Sequence, residues 1–219
     1  MFRLLMRQLN RSSFCRINPL FKGVVKVCNA NFNRGFNNLI TKHYLEAESL
    51  RHIGMFCSSE IFQNPQNKDV LHGVSSFCGE LVALAQVSSL AKVPALNVLI
   101  INSSHKGAAA TLALKIPPEG FVLVNSDRKS NYLRLPKFNG NLVTYGLNQK
   151  ACLTTSSITS ERLQVCIQRA FPNMAKGVVS VQEFAIHMHS LGVEMSIALA
   201  GAMLVCGATM GDIDSVFNH

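Results

Sequence analysis

Few side chains in this 219-residue sequence stand at spacings that do chemistry on their own. His187 and His189 lie two apart, which puts both imidazoles on one face of a strand and so begins a metal site. No third ligand follows nearby, and a partly exposed strand edge is the plainer reading. The cysteines (Cys15, Cys28, Cys57, Cys78, Cys152, Cys166 and Cys206) are odd in number, and no two form a C-x-x-C pair. Several lie inside apolar runs, a pattern that suits reduced, buried thiols in a reducing compartment better than a secreted disulfide framework. No Cys/His or Ser/His/Asp set has the spacing of a nucleophilic centre. Binding chemistry is then to be sought where open parallel sheets gather their ligands, beyond the carboxyl ends of the strands. Three such ends are legible: the loops after Val27, Ile101 and Val124.

The elements that position those ends follow from the apolar pattern. Val24–Val27 is a β-branched strand, Asn29 to Asn33 is turn-like, and Phe36 to Leu45 continues as a helix. Ile53 to Phe56 reads as a short strand, Asn64 to Asn67 as a turn around Pro65, and Glu80 to Ala91 as a helix closed by Pro94. Asn97 to Ile101 and Phe121 to Val124 are apolar without alternation, which implies strands covered on both faces of a parallel sheet, with an Ala-rich helical segment between them. A further strand spans Asn141 to Tyr145. Cys152 to Ile158, Leu163 to Arg169 and Glu183 to His189 instead alternate between short turns, as an antiparallel meander does. A helix from about Met195 to Cys206 and a last short helix capped by Asp212 close the chain. The fold class expected is therefore α/β, a mostly parallel sheet with crossover helices and an antiparallel meander toward the C-terminus.

Charge is unevenly placed. The net charge is +9, yet residues 1 to 45 hold eight basic side chains and no acid, while the rest carries thirteen bases against twelve acids. The body of the protein thus offers no broad basic face to a nucleic acid. Residues 1–22, Arg-rich, Ser-containing and acid-free, with Phe2, Leu5, Met6 and Leu9 on one side of a helix, read as an organelle transit peptide or as a basic extension. Localisation is then intracellular, either organellar of the mitochondrial type or cytoplasmic. The stretch from Leu191 to Ala208 contains Glu194 and three glycines, and its unbroken apolar part is too short to span a bilayer, so no integral membrane segment is expected.

Residues 24–45 line up without a gap on the strand, phosphate loop and helix that open the central domain of Mur ligases and their cyanophycin-synthetase relatives, whose loop resembles T-G-T-N-G-K-T-T. Here the loop reads Cys28-Asn29-Ala30-Asn31-Phe32-Asn33-Arg34-Gly35, keeping Asn31 alone and placing Asn33 where the lysine stands. Such a loop needs glycines to curl its N–H groups around phosphates, a lysine for their charge and a hydroxyl for Mg²⁺. Ile53 to Ser59 is similar to the family's next strand. Val98 to Gly107 is similar to the strand ending in E-T-A-R-G-G, with Asn102 in place of the glutamate that helps hold Mg²⁺. Beyond Gly107 the family carries another strand, a metal-binding histidine and a carbamylated lysine. This chain passes almost directly to Pro117-Pro-Glu-Gly120, as after an internal deletion near residue 108, and His105 is the residue nearest the missing histidine.

The best-kept part runs from Gly120 to Gly192, where Asn125-Ser-Asp127 resembles N-A-D-D and Val143-Thr-Tyr-Gly146 resembles V-T-Y-G. The resemblance implies a P-loop NTPase-like domain over residues 23–219, closest to the cyanophycin-synthetase-like and UDP-N-acetylmuramyl peptide synthase branch. Remnant nucleotide contacts would fall on Asn31, Asn33, Asn125 and Asp127, and weak metal positions on Asn102 and His105, although Asn125 also reads as a turn-capping side chain. Before the last long helix, Gly192-Val193-Glu194-Met195 keeps the glycine of G-x-H-N and loses both polar groups.

The function this implies is an inactive ligase-like domain used as a binding or structural module, with no cofactor and an unspecified protein partner. One alternative is an ATP- and Mg²⁺-dependent carboxylate–amine ligase, activating the acid as an acyl phosphate, whose phosphate loop comes from another chain. A second is an N-terminal segment that binds nucleic acid or anions, with Phe14, Phe21, Phe32 and Phe36 as stacking surfaces.

Overall fold

A computed structural model describes residues 51–84, 90–103, 108–128 and 135–218. The expected first strand, the phosphate loop with Asn31 and Asn33, the basic extension and His105 lie outside the described residues.

The described chain is mixed α/β. Its sheet has eight strands in the order β10-β7-β6-β5-β4-β3-β1-β2, from β1 (His52–Phe56), β2 (Glu80–Ala83), β3 (Val98–Ile101), β4 (Phe121–Asn125), β5 (Asn141–Tyr145), β6 (Leu153–Ile158), β7 (Arg162–Ile167) and β10 (Gln182–His187). β2, β1, β3, β4 and β5, neighbours in that order, pair in parallel, and β7 runs antiparallel to both β6 and β10. The join between the two parts is a single parallel register pair, Tyr145 with Leu153. β8 (Phe171–Pro172) and β9 (Val178–Val179) form a separate antiparallel hairpin. The mostly parallel sheet with an antiparallel C-terminal part is therefore present.

A one-turn helix, α1 (Glu60–Gln63), follows β1, and the longer helices cover the sheet unequally. On one face lie α2 (Lys68–Cys78), α4 (Val193–Val205) and α5 (Met210–Phe217), packed on Met55, Ile100, Leu123, Tyr145, Leu153 and Val165. On the other face, α3 (Ala108–Ala113) meets Leu99, Ile101, Val122 and Val124. Every residue of β3 and β4 is buried, as their unbroken apolar runs require. α4 is buried almost all round, from Met195 to Val205, and it crosses β3, β4, β5 and β6. No described helix is long and apolar enough to cross a membrane.

Several expectations need correction. The helix read over Glu80 to Ala91 begins instead as strand β2, while residues 68–78, assigned to no element, form α2. Gly79, with φ +110°, ends α2 in a conformation other residues avoid, and an added Cβ there would strike the Arg51 carbonyl. Past that stop, Glu80 to Ala83 pair in register with His52 to Met55, and tertiary pairing overrides the helical preference of the Leu and Ala residues. The final helix is capped by Thr209, not Asp212. The Thr209 side chain accepts from the Asp212 N–H while the Asp212 carboxylate accepts from the Thr209 N–H at 2.8 Å, a reciprocal capping box. The histidines do not share a strand face. His187 ends β10, whereas His189 lies in a 3-10 turn (His189–Leu191) at φ +49°, its Nε2 2.8 Å from the Phe217 carbonyl oxygen.

Candidate functional site at the strand ends

The sheet order reverses between β1 and β3, because the chain leaves β1 toward β2 and returns on the opposite side. The helices that follow these two strands, α2 after β1 and α3 after β3, lie on opposite faces, which is where open α/β sheets form their crevice. Here the crevice is drawn in. The Phe56 carbonyl, last in β1, accepts hydrogen bonds from the Asn102 and Ser103 N–H groups at 3.0 and 3.1 Å and from Ser103 Oγ at 3.3 Å.

Three polar side chains converge beside it. Asn125 ends β4 and is fully buried; its Nδ2 donates to Asn102 Oδ1 at 3.1 Å. The Tyr145 hydroxyl, ending β5 and equally buried, donates to the same oxygen at 3.1 Å. An amide oxygen has two lone pairs, and both on Asn102 are engaged. Asn125 Oδ1 in turn accepts from the Asp127 N–H at 3.0 Å, an Asx turn that starts the loop after β4. Burial pushes the Tyr145 phenol well above its ordinary range, and the nearby Glu194 charge adds to this.

Asp127 serves the next loop along. Its Oδ2 accepts from the Leu147 N–H at 2.6 Å, and its Oδ1 from the Asn148 N–H at 3.0 Å and Asn148 Nδ2 at 2.7 Å. Gly146 lies directly beneath at φ +146°, and a Cβ there would come within 2.6 Å of Oδ2. The glycine of the V-T-Y-G stretch is thus required by the close approach of a carboxylate. Arg128 reaches Glu194, in the first turn of α4, at 3.2 Å; the partners are 48% and 30% exposed, so the ion pair contributes about 1 kcal/mol or less.

No family model matches this chain, and no curated protein does.

Of the sequence-derived positions, the fold gathers Asn102, Asn125 and Asp127 at adjacent strand ends. The residues that organise them escaped the sequence reading: Tyr145, whose hydroxyl completes the Asn102 oxygen, and Asn148, whose amide bridges Asp127 and Ser126 Oγ, the latter at 2.7 Å. Tyr145 was detectable, since it falls on the buried parity of β5 with Val143 and so brings a hydroxyl into the core that needs a partner. Asn148 carried no signal beyond a polar residue in a turn.

As a magnesium and nucleotide site, these residues fit poorly. Asn102 lacks the charge to offset a dication and its oxygen is already shared by two donors, while Asn125 is sealed from solvent and Asp127 is committed to three donors. Among the described residues no three His, Cys, Asp or Glu side chains are grouped to hold a metal ion. A separate open groove of about 520 Å³, lined by Phe62, Pro65, Leu71, His72, Glu80 and Leu81, touches none of the sequence-derived positions.

Proposed function

We propose that this chain is a Mur ligase-like central domain, P-loop NTPase-like in type, that serves as a binding or structural module without ligase catalysis. The observation that carries the reading is the Asn102 oxygen. At the position where the resemblance calls for a metal-supporting glutamate stands a neutral amide, and it is used as the hub joining β3, β4 and β5. Residues that would otherwise approach a nucleotide act here as internal struts. Asn125 starts its own turn, and Asp127 clamps the loop after β5. Binding a dication at Asn102 would strip two hydrogen bonds from buried groups, a cost of about 1–3 kcal/mol for each donor left unpaired.

The test is the thermal midpoint of the full chain with and without millimolar Mg-ATP, together with phosphate release in the presence of carboxylate and amine acceptors. The midpoint is expected to stay within a degree and no phosphate to appear. A stabilisation of several degrees that vanishes in Asn125→Ala, or acceptor-dependent phosphate release, would overturn the proposal.

A further inference from the structure

α2 and α4 lie side by side on one sheet face. Because α2 connects parallel strands β1 and β2, it runs against the strands. α4 starts beside the β4 carboxyl end, at the Glu194–Arg128 pair, and runs the same way. The two helices therefore begin together at the crevice end and finish together at the opposite end. Their beginnings are clasped by a polar contact: Asn67, buried just before α2, accepts from Ser190 Oγ at 2.6 Å in the turn that leads to α4.

Their ends carry a matching pair of thiols. Cys78 is the last residue of α2 and Cys206 the cap of α4, and each is followed by a glycine at positive φ, Gly79 at +110° and Gly207 at +97°. Both thiols are free and buried, at 1% and 6% exposure, and they face one another closely enough for a side-chain hydrogen bond. Among the described residues the other buried thiol, Cys57, follows β1 at the far, crevice end.

We propose that Cys78 and Cys206 form a reversible disulfide, driven by a hydroperoxide, that staples the carboxyl ends of α2 and α4 together. The Cys78 S–H donates toward the Cys206 sulfur, and Arg51 lends positive charge, so Cys206 is pushed below the ordinary thiol range and Cys78 above it. Cys206 is accordingly the nucleophile. Its thiolate attacks one peroxide oxygen, the O–O bond breaks, and hydroxide leaves, giving a Cys206 sulfenic acid. The Cys78 sulfur then attacks the sulfenic sulfur, its proton leaves with the departing hydroxyl as water, and the S–S bond forms. The balance is two thiols and one hydrogen peroxide to one disulfide and two waters. Both residues are buried, which favours a small oxidant over a bulky one and is why a peroxide is named and not a disulfide tripeptide.

Hydrogen peroxide is the probe, added to the reduced full-length protein, followed by alkylation and peptide mass mapping without reductant. The expected product has lost two hydrogens, links the Cys78 and Cys206 peptides, reverts with dithiothreitol, and melts roughly 5–15 °C higher because the bridge closes a very long loop. In Cys78→Ala, Cys206 carrying a single added oxygen should accumulate in place of the link, read by mass in the same peptide map. Should that variant fail to fold, the wild-type map decides alone. Oxidation of Cys206 to sulfinic acid without a link, or linkage of Cys57, Cys152 or Cys166 in preference, overturns the proposal.

Discussion

Asn102, Asn125 and Tyr145 show how a few buried hydrogen bonds fix the ends of three adjacent strands. Replacing Tyr145 with Phe keeps the ring and removes one donor, so unfolding in urea should require about 0.5–2 kcal/mol less. Tyr145 also makes a signed prediction with pH. The folded protein holds this phenol neutral well above its ordinary value near 10, and Cys57, pushed by burial up to about 11, behaves likewise. Unfolding lets each group ionise at its ordinary value, so the stabilisation is complete at neutral pH. It begins to fall near pH 9 with Cys57 and steepens near pH 10 with Tyr145, by about 1.4 kcal/mol per pH unit for each group. Urea midpoints measured from pH 7 to 10.5 should therefore fall less steeply in Tyr145→Phe above pH 10. Equal slopes in the two proteins would sink the assignment.

Among the elements, α4 depends on closeness. Gly201 passes so near the sheet that a Cβ would lie 2.7 Å from Leu153 Cδ1 and 3.1 Å from Leu123 Cδ2. Gly201→Val should cost about 1–3 kcal/mol or more by forcing the helix off β4 and β6, readable as a lowered urea midpoint, whereas Gly211→Ala in α5, whose Cβ would meet Thr209 Oγ1 at an ordinary 3.7 Å, should be nearly silent. The same elements show what the sequence disclosed. β3 and β4 were legible because burial on both faces leaves an unbroken apolar run, and α4 because only a core helix is apolar on every side. The exchange of β2 for a helix was not, since Glu80-Leu-Val-Ala83 carries no period of its own and its state is set by the parallel register with β1. α2 was hidden by Gly73 and its paired serines, although Val70, Leu71, Val74 and Cys78 already had the spacing of one helical face. Asn125 and Asp127 were found through the resemblance, but their partners were not, because nothing local says that residues 20 or more apart will meet at neighbouring strand ends.

Taken whole, the described molecule hangs on one long sheet whose stability is graded across its width. β3, β4 and α4 are sealed from water, while the β8–β9 hairpin holds two register pairs and leaves Val178 68% exposed. Amide exchange should thus be slowest in β3, β4 and α4, limited by global unfolding, and the hairpin should exchange sooner through local opening; hairpin amides as slow as those of β4 would contradict this gradient. The all-round burial of α4 also bears on how the protein is made. The helix that covers the face shared by β3 to β6 is encoded after all of those strands, so a ribosome must complete residue 205 before that face can be hidden. Until then the strands already synthesised present an apolar surface with no lid, and a chain interrupted before α4 is a ready substrate for chaperones and proteases.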